Sequence, residues 1–246
     1  MNSKLTLMIG VVAIMAAAAI AGTYNQMNTA NAEKDDEPEF VDSFDLEGCT
    51  WSSTGSNRYF ILEPGYQLVL KGKEGSSVVH LTITVLDETI SIDGIKTRVV
   101  EESETSDGTL VEISKNYFAI CTENDNIFYF GEDVDIYQDG QVVSHDGAWL
   151  HGKNEARAGL MMPGSPIEDY AFYQEIAPGV ALDRGVIESL DERIKTPAGV
   201  FEDSLEFFET TPLEPDAEDF KWYAPNVGLV KSNTLKLIEY GYVEED

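Results

Sequence analysis

At 246 residues, 43% hydrophobic and 10% aromatic, the chain can bury one sizeable core, which excludes global disorder. Forty-five acids stand against 16 bases, a formal net charge of −29. A surface this acidic repels phosphate backbones, which excludes nucleic acid as a partner, and it favours solubility, cations and salty surroundings.

Residues 1–32 read as a signal peptide. Lys4 and the amino terminus supply a positive flank, Leu5 to Gly22 is apolar apart from Thr6, and Ala30-Asn31-Ala32 is a small-x-small cleavage pattern. The alternative is an uncleaved anchor, the one route by which the chain would touch a membrane. Either way the remainder is secreted or displayed in the extracytoplasmic envelope. Residues 33–47 follow as an acidic linker: eight acids face Lys34 alone, and Pro38 breaks any helix.

Residues 48–246 read as one β-rich domain. Val79, Leu81, Ile83 and Val85 alternate with polar residues, the period of a strand with one buried face. Further runs lie at 92–100, 110–121 and 127–137, punctuated by Asp93-Gly94, Asp107-Gly108, Asp139-Gly140 and Asp146-Gly147. Asp-Gly supplies the positive φ angles of tight hairpins, so an antiparallel meander is expected. Asn124-Asp125-Asn126 turns a further hairpin. Gly159 to Pro166, with two prolines and two glycines, is expected to be a loop. Strands resume at 169–176, 180–190, 204–211, 220–223 and 227–231. The fold class is therefore all-β: a single antiparallel curved sheet, half-barrel or open barrel.

The segment Tyr117 to Glu132, with its Phe118-Ala119-Ile120-Cys121 and Ile127-Phe128-Tyr129-Phe130-Gly131-Glu132 arms, resembles the aromatic hairpin of an uncharacterised family of secreted bacterial and archaeal proteins. Tyr59 to Gly65, Ser144 to Trp149 and Tyr223 to Val230 agree with it, so the similarity spans about residues 58–232. It implies a secreted β-rich protein and brings no activity. The Tyr-Ala-Pro-Asn-Val-Gly-Leu-Val ending is also loosely similar to periplasmic half-barrel proteins akin to lipoprotein carriers, a likeness at the level of fold. Cys121 departs from the hairpin pattern, which has a polar residue there.

Cys49 and Cys121 are the two cysteines of an exported chain, which suggests a disulfide. His145 and His151, with Asp146 between them, are candidate metal ligands, although their spacing matches no standard zinc pattern. Glu132 to Gly140 fails the calcium-loop pattern, because Tyr137 stands where an oxygen ligand belongs. A weakly bound divalent cation is the most that the acids imply, and no cofactor is expected. Ser144, His145 and Asp146 are consecutive and so point to opposite faces of a strand; no catalytic residue is assigned. Phe128, Phe130, Trp149, Met161, Met162 and Trp222 are candidate ligand contacts, with Leu160-Met161-Met162 as a mobile lid. These features describe an exported, non-enzymatic binding or cell-surface protein holding a small apolar ligand or lipid in a curved sheet. The alternatives are an extracytoplasmic hydrolase or metal-dependent enzyme using His145 and nearby acids, and a structural component of an acidic envelope.

Overall fold

The structure, a computed structural model, describes residues 38–243; the segment read as a signal peptide and the start of the stretch read as an acidic linker lie outside the described residues. After Cys49 come β1 (Trp51–Ser52), β2 (Tyr66–Glu74), β3 (Ser77–Ile92), β4 (Ile95–Ser106), β5 (Thr109–Cys121) and β6 (Asn126–Gln138). Shorter strands follow: β7 (Gln141–Ser144), β8 (Trp149–Leu150), β9 (Arg157–Met162), β10 (Ala171–Tyr173) and β11 (Glu175–Ile176). A second long series completes the chain: β12 (Arg184–Thr196), β13 (Gly199–Thr211), β14 (Glu214–Ala224), β15 (Gly228–Ser232) and β16 (Leu235–Tyr242). There is no helix among the described residues, and the ladders form a single antiparallel sheet, as the period of two predicts.

Local chemistry explains the hairpins. Asp93-Gly94, Asp107-Gly108 and Asp139-Gly140 turn β3–β4, β4–β5 and β6–β7 with φ pairs of 47°/83°, 50°/81° and 53°/76°. Both central residues take the left-handed region that a hairpin matching the strand twist needs. Asp125, with φ of 57°, tips the β5–β6 hairpin. Asp146-Gly147 serves differently, turning the chain from β7 into β8.

Two meanders, β2–β6 and β12–β16, are joined side by side through β16 and β2. The ends of the resulting sheet are β10, paired with β12, and β11, paired with β9. Gln174 alone separates β10 from β11 in sequence. One short segment therefore belongs to both ends, and the sheet is a nearly closed barrel with one seam.

Two expectations are corrected. Gly159 to Met162 is not loop but part of β9, which lies between β6 and β11 with Leu160 and Met162 nearly inaccessible. The prolines begin at Pro163, so the ladder is intact up to Met162, and Leu160-Met161-Met162 is a buried strand rather than a lid. Gly159 stands where the backbone of Gln174 passes, since a Cβ there would meet Gln174 O at 2.3 Å. The run expected at 180–190 becomes a strand only from Arg184. Two strands that the period did not single out, β2 and β16, make the junction of the meanders.

Cys49 and Cys121 form the expected disulfide, with a Cα separation of 5.1 Å across 72 residues. It fastens the segment before β1 to the aromatic hairpin. Phe44 and Trp51 pack edge-on against Phe128, and Trp51 also against Phe130. Further upstream, Val41 makes a parallel bridge to Phe172 and Phe40 meets Tyr173, so residues 40–44 lie against the seam end of the barrel.

Candidate functional site

The barrel interior is unusual in what it holds. Among the described residues seven acids are buried: Glu102, Glu112, Glu132, Glu175, Asp183, Glu209 and Asp219. Strand alternation puts them there. Glu112, Ser114 and Asn116 share the face of Phe118 on β5, and Asp219 and Lys221 share the face of Tyr223 on β14. On β6 a bulge adds a residue between the pairs Phe118–Tyr129 and Asn116–Glu132, which turns both Tyr129 and Glu132 inward. Gly131 occupies the bulge with φ of 150°, and a Cβ there would meet Trp149 O at 2.6 Å.

Lys221 is the cation of this cluster. Its Nζ donates to Glu209 Oε1 at 2.5 Å with both side chains 2% exposed. The other buried base, Arg98, is committed elsewhere, donating to Ser53 O, Leu86 O and Asp87. Glu175 hydrogen-bonds Asp183, an arrangement that requires a proton between two carboxyl groups, and accepts from Trp149 Nε1 at 2.6 Å. Glu132 Oε2 has no hydrogen-bond partner among the described residues. Burial pushes Glu132 and Glu175 well above the carboxylate range, Glu209 up to about 8 against the pull of Lys221, and Glu102 up to about 7. A small cavity of about 20 Å³, room for one water, lies among Tyr129, Gln174, Glu175, Asp183, Glu209 and Lys221.

Met161 is the wall between this polar cavity and a second, apolar cleft. The cleft has about 50 Å³ of free space and is partly open to solvent. Tyr66 and Leu68 of β2, Ile83 and Val85 of β3, Phe118, and Leu229 of β15 line it, and Phe60 and Ile61 close one side. Those two belong to a loop pinned over the barrel by Asn57, whose Nδ2 donates to Asp125 O at 3.1 Å and Met162 O at 3.3 Å. Its Oδ1 accepts from the backbone N–H of Tyr59 and Phe60. Glu102 is the cleft's one ionisable carboxyl, on β4 opposite Ile83.

No protein-family model and no curated relative matches the chain. A solved structure of a provisionally assigned lipoprotein from Parabacteroides distasonis is similar over 76% of this chain and 100% of that one, at 16% identity and a TM-score of 0.39.

The residues singled out from the sequence do not share one place. Met161 lines both cavities. Trp149 reaches the acid cluster through Glu175, while its ring meets Tyr129. Phe128 and Phe130 face the other way, under Trp51. Met162 is buried, and its carbonyl accepts from Asn57. Trp222 lies on the outer face beside Phe220, with Lys231 Nζ 3.4 Å from its ring centroid.

His145 and His151 are separately engaged. His145 Nδ1 lies 2.8 Å from Val134 O and 2.9 Å from Asp135 Oδ1, beside a surface depression of about 410 Å³. His151 Nδ1 accepts from the Ala158 N–H, and its ring meets Phe130 edge-on. Asp146 donates its backbone N–H to Ser144 Oγ. Among the described residues the metal-capable grouping is Cys49, Cys121 and Glu123, where the disulfide already occupies both sulfurs. The functional groups missed from sequence are the buried carboxyls and Asn57. For the acids on strands the available signal is parity: each shares its face with a buried aromatic or aliphatic residue, whereas Asp183 and Asn57 lie outside the strands.

Proposed function

We propose that this chain is an exported, non-enzymatic binding protein that holds a small, largely apolar ligand in the cleft beneath the Asn57 loop. The observation that carries the reading is the cleft itself, an apolar recess with one carboxyl in its lining, framed by strands from both meanders. Binding sites are concave, mostly apolar and furnished with few, placed polar groups. The signal-like segment and the disulfide support export into an oxidising compartment. The free space suits a short chain or a compact group rather than a whole lipid.

The test is a titration of the uniformly ¹⁵N-labelled protein with hexan-1-ol. Saturable amide shifts confined to the neighbourhood of Ile61, Leu68, Ile83 and Leu229, abolished in Leu68→Phe, support the reading. Shifts that never saturate, or that persist unchanged in Leu68→Phe, sink it.

A further inference from the structure

Resting on that reading, the structure also points to the chemical class of the ligand. Glu102 is 9% exposed and lines the cleft. It forms no hydrogen bond with any described residue, which leaves water or a ligand in the cleft as its partner. Burial outweighs the relief that Lys221 gives it, and the lysine's own hydrogen bond goes to Glu209. Acidic and phenolic groups also act on Glu102: Glu104 on its own strand, Tyr129 and Glu132 on β6, and Tyr223 on β14. The cluster thus sets one ammonium, Lys221, against seven buried acids, and the cleft is an approach to Glu102.

We propose that the cleft binds a short aliphatic amine, its ammonium group seated against Glu102 and its hydrocarbon body between Leu68, Ile83, Val85 and Leu229. The lining matches the two halves of such a molecule: apolar walls and, among them, one carboxyl with no protein hydrogen bond. A neutral alcohol of equal length fills the same walls but offers no charge. An alkyl carboxylate is repelled by Glu102 and by the acid cluster behind Met161. Burial raises Glu102 to about 7, so seating an ammonium displaces a proton from it, and affinity for the amine climbs with pH while affinity for the alcohol does not.

The experiment compares hexan-1-amine with hexan-1-ol and hexanoate on the whole exported protein, in 0.15 M salt to screen diffuse attraction to the acidic surface. The readout is the saturable ¹⁵N shifts of cleft residues at pH 5.5, 7 and 8. The expected result is amine binding tighter than alcohol by about tenfold or more at pH 8, the increment of a charge-assisted hydrogen bond. That preference should shrink at pH 5.5 and disappear in Glu102→Gln with alcohol binding retained. Equal affinities at pH 8, or an amine preference independent of pH, overturn the proposal while leaving an apolar site standing. Failure of all three compounds to bind the cleft overturns both. The pH series on the wild type decides the question even if Glu102→Gln does not fold.

Discussion

Lys221 and Glu209 form an ion pair on neighbouring strands of the barrel, Nζ to Oε1 at 2.5 Å, with both side chains almost wholly out of water. Desolvation disfavours the ammonium, but Glu209, Tyr223 and Asp219 outweigh it and hold Lys221 above its ordinary value. The lysine is the charge that makes an interior of seven acids tolerable.

Removing it should therefore be severe. Lys221→Met leaves Glu209 and Asp219 without their cation and is expected to lose about 3–5 kcal/mol of stability by urea denaturation, the range for breaking a buried pair. Lys221→Met combined with Glu209→Gln should recover a large part of that loss. A double variant no more stable than the single one would mean that the lysine serves the rest of the cluster rather than Glu209.

Stability should fall as pH rises. Glu102 and Glu104 are raised to about 7, and Glu132 and Glu175 well above their ordinary values, so the native state holds protons that the unfolded chain releases near its ordinary carboxylate values. Between about pH 4.5 and 8 the unfolded state binds fewer protons, and stability declines across that window. Asp107 and Glu123 act oppositely: backbone and side-chain hydrogen bonds lower both, and that support is lost below the carboxylate range. Melting temperatures measured from pH 3 to 9 should peak at mildly acidic pH, each kcal/mol of loss appearing as roughly 2–4 °C. A flat profile from pH 5 to 8.5 would contradict the protonated interior.

Reduction should loosen the N-terminal segment before it unfolds the barrel. The disulfide closes a 72-residue loop, for which chain entropy gives about 4 kcal/mol. Cys49→Ser with Cys121→Ser should lose about that much and make the chain between 38 and 50 susceptible to limited proteolysis, with the rest resistant. Cleavage elsewhere first would show that the bond supports the barrel more broadly.

The Asn57 loop should govern access to the cleft. Asn57→Ala removes contacts to Asp125, Met162 and Pro163 and is expected to cost about 1–3 kcal/mol. It should also speed exchange of bound hexan-1-ol seen by NMR line shape. His145→Ala, at an exposed side chain, should change stability by no more than about 0.5 kcal/mol and leave cleft binding unaltered.

The hairpins were legible because their information is local. Asp-Gly needs no tertiary context to take positive φ, and Val79 to Val85 shows its buried face by alternation. β9 was not legible: Gly159 and Pro163 read as breakers, although one marks a close crossing of backbones and the other stands just past the strand. The acid cluster was hidden for a different reason. With 45 acids in the chain, composition cannot say which are inside, and the bulge at Gly131 reverses the face that β6 presents midway. The aromatic residues were found in number but not in direction, since Phe128 and Tyr129 are neighbours on opposite faces.

The segment that carries β10, Gln174 and β11 has one further effect. A long open sheet would leave two rows of unpaired amides and carbonyls, each a template for another chain. Here a single stretch of six residues, Ala171 to Ile176, occupies both rows, and Val41 adds a bridge at one of them. Prying out that stretch would uncover both templates at once and admit water to the carboxyls behind it. The charge that then develops would make separate molecules repel at the moment when they could pair.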